Sequence, residues 1–168
     1  MTFLSYCKQH ADDDERILNS VERARILIID DDENTRSSLL TVLEEEGYEV
    51  DVASSGYEAV AKSEMSSYDL AFIDPCLPDM DGTRLLSEMR ETVPGMARII
   101  MTGCPSLGDV IDAVNQGVDS YMVKPFRVDD LLLTIEKSLK KQREAKRYSE
   151  ETVKDYIETR FREAAVIG

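Results

Sequence analysis

Five short apolar runs alternate along this chain with amphipathic stretches, and no other feature restricts the fold as tightly. The runs are Ile26–Ile29, Glu49–Ala53, Leu70–Ile73, Arg98–Met101 and Ser120–Val123. Each is too short for a helix, and several are apolar throughout, as strands covered on both faces are. Between them apolar positions recur at helical spacing. Glu33–Glu46 sets Leu39, Leu40 and Leu43 on one face with Gly47 at its C-terminal cap. Further helices are predicted near Tyr57–Met65, Thr83–Glu91 and Leu107–Asn115, and from about Val128 onward. Strands joined by helices run parallel, because right-handed crossovers place the helices on both sides of the sheet. The expected fold is α/β, a doubly wound five-stranded parallel sheet with helices on both faces, followed by a C-terminal helical extension.

Three segments follow from this pattern. Residues 1–24 hold the acidic run Asp12–Glu15 and then Ile17, Leu18 and Val21 at helical spacing, an N-terminal extension with a short helix. Residues 25–139 hold the repeats. Residues 140–168 read as a helical tail or linker: the polar, basic Lys140–Arg147, then an apolar stripe of Val153, Tyr156, Ile157, Phe161 and Ala164. That stripe needs cover from its own domain, from a second copy in a homodimer, or from another protein; a coiled-coil seam would need a longer heptad run.

Charge narrows the partners. Residues 1–135 carry 11 basic against 27 acidic side chains, a net of −16, while 136–168 carry 9 against 7, a net of +2. A surface this acidic repels nucleic acid and anionic membranes and leaves proteins and small cations as partners. No apolar run approaches the roughly 20 residues of a membrane-spanning helix, and Met1–Lys8 lacks a basic region followed by an apolar stretch. Cys7, Cys76 and Cys104 form no disulfide framework. A cytoplasmic protein with free thiols is expected.

In doubly wound sheets ligands bind beyond the carboxyl ends of the strands. The residues there are Asp30, Asp31 and Asp32 after strand one, Asp74 after strand three, Thr102 after strand four and Lys124 after strand five. Carboxylates brought together repel one another unless a hard cation neutralises them, which points to Mg²⁺. Beside such a cation a carboxylate can attack phosphorus while a hydroxyl and an ammonium stabilise the equatorial oxygens. Asp74, Thr102 and Lys124 suit those three roles.

Four motifs make the chain resemble the response-regulator receiver family over about residues 25–139: Ile-Leu-Ile-Ile-Asp30-Asp31, Asp74-x-x-Leu-Pro78-x-Met-Asp81-Gly82, Thr102-Gly103 and Lys124-Pro125-Phe126. The resemblance implies the chemotaxis-regulator-like strand order 2-1-3-4-5. It implies Mg²⁺ held by Asp30, Asp31, Asp74 and the Cys76 carbonyl, with Asp31 the more direct ligand of the acidic pair. Asp74 would be the phosphoacceptor, Thr102 would bond the phosphoryl group, and Lys124 would pair with it ahead of a cis bond to Pro125. Thr102 and Tyr121 would form the switch, Tyr121 turning inward and reshaping the face of helix four, strand five and helix five. The donor would be a histidine kinase or phosphotransferase and the output a downstream protein target. On this reading the chain catalyses only its own phosphorylation and dephosphorylation; the alternative is a phosphorylation-independent interaction scaffold.

Two departures stand out. Pro75, directly after the acceptor, fixes φ and removes a backbone donor, which stiffens the loop or, on the alternative reading, blocks the chemistry at Asp74. Cys76 and Cys104, two residues after Asp74 and Thr102, would flank the phosphoryl pocket. They could gate it by reversible oxidation, although small tolerated side chains are the plainer reading. Asp79-Met80-Asp81-Gly82-Thr83 spells the signature of haloacid-dehalogenase-like phosphatases, but Leu77 and Pro78 separate it from a strand end. Cys7-x-x-His10 supplies too few ligands for a closed metal site.

Overall fold

The computed structural model describes residues 24–166; the helix expected in the N-terminal extension, with Cys7 and His10, lies outside the described residues. The elements are β1 (Arg25–Ile29), α1 (Glu33–Glu45), β2 (Glu49–Ala53), α2 (Gly56–Met65), β3 (Leu70–Ile73), α3 (Gly82–Thr92), β4 (Ala97–Thr102), α4 (Leu107–Asn115), β5 (Ser120–Val123) and α5 (Val128–Val166). All five strands are parallel in the order β2-β1-β3-β4-β5. The expected α/β architecture and strand order are therefore present.

Apolar runs become strands here because both faces of the sheet are covered. Ile26, Leu27, Ile28 and Ile29 are all fully buried, and strand periodicity divides them. Ile26 and Ile28 pack with Leu39, Leu43, Leu131, Ile135 and Leu139 from α1 and α5. Leu27 and Ile29 pack with Ala59, Leu85, Leu86 and Met89 from α2 and α3. The β2 edge alternates Glu49, Val50, Asp51 and Val52 and stays partly exposed. At the start of α1 the Asp32 carboxylate accepts the N–H groups of Asn34 and Thr35, and Gly47 after its end takes φ 92°, the left-handed conformation a glycine adopts without penalty.

Thr102 differs from expectation. It is the last residue of β4 rather than the first beyond it, paired with Val123, because its carbonyl accepts the Lys124 N–H at 2.7 Å and extends the ladder.

Arg98 is out of place chemically. It lies on the same side of β4 as Ile100, is only 7% exposed, and its Nε and Nη1 are buried without a hydrogen-bond partner. Burial, with Arg90 nearby, pushes its pKa below the ordinary arginine value, partly offset by Asp119. Unsatisfied buried donors cost more than an apolar side chain of similar reach, so Arg98→Leu is expected to raise stability by about 1 kcal/mol in urea unfolding. A lower midpoint would mean that the guanidinium holds the sheet edge together.

The tail does not turn back. α5 runs unbroken through Lys140–Arg147 for 39 residues, roughly 58 Å at the α-helical rise. Lys141 pairs with Asp119 (3.4 Å), and Gln142 Nε2 donates to the Gly95 carbonyl (2.5 Å), tying α5 to the loops before β5 and β4. Tyr148, Val153, Tyr156 and Ile157 stand exposed, so the domain does not cover these four side chains.

Candidate phosphoacceptor site

Backbone bonds one step beyond the strands place the polar groups. Asp30 N–H donates to the Ala53 carbonyl (3.2 Å), and Asp74 N–H donates to the Ile29 carbonyl (2.8 Å). With the Lys124 bond to Thr102, these contacts lock the first residue after β1, β3 and β5 to a neighbouring strand. A parallel sheet thus brings residues as far as 94 positions apart to one edge.

Lys124 joins them. Its Nζ donates to Asp30 Oδ2 at 2.5 Å and to Asp74 Oδ2 at 2.6 Å. The Asp30 side chain is 1% exposed and that of Asp74 12%, so two carboxylates share one ammonium away from bulk water. Burial alone would lower the Lys124 pKa; hydrogen bonds and charge from Asp30 and Asp74 outweigh it and hold the pKa above the ordinary lysine value. The ammonium therefore stays charged throughout the neutral range.

The second oxygen of each carboxylate is oriented by the adjoining loop. Asp74 Oδ1 accepts the Cys76 N–H at 2.8 Å, and Asp30 Oδ1 accepts the Asp32 N–H at 2.9 Å. Arg36 Nη1 donates to the Asp30 carbonyl at 2.6 Å. Asp32, the third of the acidic run, is spent on the α1 N-terminus. Hydrogen bonds from the Thr35 hydroxyl and the Asn34 N–H keep its carboxyl below the usual carboxylate range.

Asp31 is exposed, and its carboxylate has no hydrogen bond or ion pair among the described residues. No group of three acidic, histidine or cysteine side chains is gathered closely enough among these residues to chelate an ion on its own. Mg²⁺ keeps several waters and takes one or two carboxylates. The groups expected to hold it, Asp30, Asp31, Asp74 and the Cys76 carbonyl, offer only oxygen donors, the kind that cation takes.

Thr102 is 3% exposed, and its Oγ1 accepts the Cys104 N–H at 3.2 Å. Tyr121 pairs with Ile100 on β4, packs against the α2–α3 side of the core, and has its hydroxyl buried, an inward position. Thr102, Tyr121, Pro75, Cys76, Thr83 and Asp112 line a cavity of about 170 Å³. Cys76 and Cys104 are exposed and form no disulfide among the described residues; Cys76 lines this cavity and Cys104 does not. The Lys124–Pro125 peptide bond is cis.

The loop after β3 accounts for the phosphatase-like motif. Asp81 caps α3, accepting the Thr83 N–H at 2.8 Å, while Asp79 reaches α2, accepting the N–H groups of Gly56 and Tyr57 at 3.0 Å each. The two carboxylates serve different helix ends and do not form a catalytic pair. Asp79 is the residue that sequence reasoning passed over, and the unfilled N–H groups at the start of α2 were its signal.

Comparisons with known proteins agree with this geometry. The response regulator receiver domain model matches residues 26–136, and the chain belongs to that family. It is 40% identical over 119 residues to the chemotaxis protein CheY of Bacillus subtilis, covering 68% of this chain and 97% of that protein. It is 30% identical to the transcriptional regulatory protein TrcR of Mycobacterium tuberculosis, covering 77% of this chain but 51% of that protein. The chain thus spans about half the length of regulators of that kind. Among solved structures, a CheY-like receiver domain protein from Methanospirillum hungatei superposes with a TM-score of 0.70 at 42% identity, covering 73% of this chain and 98% of that one.

Proposed function

We propose that this receiver accepts a phosphoryl group on Asp74 from a phosphohistidine donor, a histidine kinase or phosphotransferase, and hydrolyses it again. The observation that carries the reading is the Lys124 ammonium held within 2.6 Å of both Asp30 and Asp74. An Asp74 carboxylate oxygen attacks phosphorus as the bond from phosphorus to the donor nitrogen breaks, and the imidazole departs with a proton. Lys124 and Thr102 face the charge that spreads over the equatorial oxygens. Asp31, Asp74 and the Cys76 carbonyl would hold Mg²⁺, which neutralises negative charge at the phosphoryl group when bound. Hydrolysis regenerates Asp74 when water attacks the same phosphorus.

The output is a protein partner on the α4, β5 and α5 face, with the α5 stripe as a second contact for another protein or a second copy. Such a relay belongs in the cytoplasm; no described helix is long and apolar enough to cross a membrane.

Incubation with acetyl phosphate and Mg²⁺, read by intact mass, tests the proposal. A gain of about 80 Da, one phosphoryl group, is expected in the wild type and not in Asp74→Asn. Light scattering on the same phosphorylated sample would show doubling if a second copy covers the stripe. No mass gain with Mg²⁺ bound would favour the scaffold reading, in which the uncovered stripe does the binding.

A further inference from the structure

We infer that Asp79 is a positioning residue for the acceptor loop, holding Asp74 and the Cys76 carbonyl in place by clamping the loop to the N-terminus of α2. The inference rests on Asp74 being the acceptor. It starts from an imbalance at the beginning of α2. Ser55 caps its own helix by accepting the Glu58 N–H at 3.2 Å, which leaves the first N–H groups unserved. Asp79, more than 20 residues away in the chain, serves two of them, one with each carboxylate oxygen, at 3.0 Å. A bidentate bond to two successive N–H groups at the positive end of a helix fixes a carboxylate in direction as well as distance. These two bonds hold the Asp79 carboxyl below the usual range, so the clamp stays ionised at neutral pH.

The rest of the loop transmits that fix toward the chemistry. Met80, next to Asp79, is 4% exposed and packs so closely over Gly56 that a Cβ there would sit 2.8 Å from Met80 Cβ. Leu77 is buried as well. Cys76 bridges to Asp81, and Gly82 lies against Pro75, where an added Cβ would come 2.9 Å from Pro75 Cα. The loop is therefore pinned on α2, on α3 and on itself. Its near end donates the Cys76 N–H to Asp74 Oδ1. A loop freed at Asp79 would let that donor wander, and with it the acceptor carboxylate and the Cys76 carbonyl.

Three variants separate positioning from charge and from helix capping. Asp79→Glu keeps the charge and moves the carboxylate by one methylene; Asp79→Ala removes the clamp; Glu58→Ala weakens the start of α2, where that carboxylate accepts the Ser54 N–H and hydroxyl and pairs with Lys62, away from the loop. Phosphoryl uptake from acetyl phosphate with Mg²⁺ is expected to slow on the order of tenfold in both Asp79 variants and to stay at the wild-type rate in Glu58→Ala. Amide exchange at Cys76, Leu77 and Met80, measured without phosphate donor, should rise in both Asp79 variants and not in Glu58→Ala. Wild-type uptake and exchange in the two Asp79 variants would overturn the inference. Equal slowing in Glu58→Ala would overturn it too, reducing Asp79 to a helix cap. If the wild type takes up no phosphoryl group, the acceptor reading fails, and the exchange measurement still decides the clamp.

Discussion

Lys124→Met is expected to lower stability by about 3 kcal/mol at neutral pH without Mg²⁺ and to slow phosphoryl uptake about a hundredfold. The methionine fills much of the same space, so the loss is chiefly electrostatic. It leaves Asp30 and Asp74, with side chains 1% and 12% exposed, facing each other with no cation between them. Removing one partner of a buried charge pair is costlier than the pair itself is favourable, because the remaining charge keeps its desolvation penalty. Mg²⁺ should restore part of the stability by supplying positive charge at the same edge, but not the rate, since no ammonium then faces the transferring group.

The pH dependence follows from the sign of the Lys124 shift. Its folded pKa lies above the ordinary value of 10.5. Its contribution is therefore complete below about 10.5 and disappears as pH rises through the folded value. Urea unfolding of wild type and variant should differ equally at pH 7 and pH 9 and converge only in stronger base. Equal stability of the two proteins at pH 7 would mean that the bridge contributes no net energy.

Phe72→Ala is expected to cost about 3–5 kcal/mol, a large share of the roughly 5–15 kcal/mol that keeps a domain of this size folded. Phe72 is fully buried in β3, the central strand, paired with Ile28 on one side and Ile99 on the other. Deleting its ring opens a void between the sheet and the layer of α1 and α5, where Leu39, Leu43, Leu131 and Ile135 are themselves buried. Close-packed neighbours relax only partly into such a space. The urea midpoint should fall with the slope unchanged, and a loss below about 1 kcal/mol would show that the layer collapses to fill the void.

Much of this was legible in the chain itself. An apolar run of four to six residues flanked by helical periodicity admits few structures besides a buried parallel strand. Ile26–Ile29, Leu70–Ile73 and Ala97–Thr102 are such strands, each within two residues of its expected bounds. Once the strands are parallel, Asp30, Asp74, Thr102 and Lys124 must meet at one edge, because each stands at the carboxyl end of its own strand. Convergence was a matter of topology, and topology was written in the alternation.

Three-dimensional packing decided the rest. The partner of Asp79 lies across the fold on α2: the first N–H groups of that helix signal that an acceptor is needed, but packing decides which carboxylate supplies it. Whether Arg98 finds a partner depends on what happens to pack over β4, and there its Nε and Nη1 find none. The apolar stripe on α5 was plain in the periodicity, but its exposure was not: periodicity says that a helix has an apolar face, and only the position of the helix relative to the sheet says where the cover ends. Tyr148, Val153, Tyr156 and Ile157 stand exposed on α5. The residue types and spacings thus determined which groups share an edge. Distances, charge pairing and the exposed face came from contacts between segments far apart in the chain, whose energies no single segment contains.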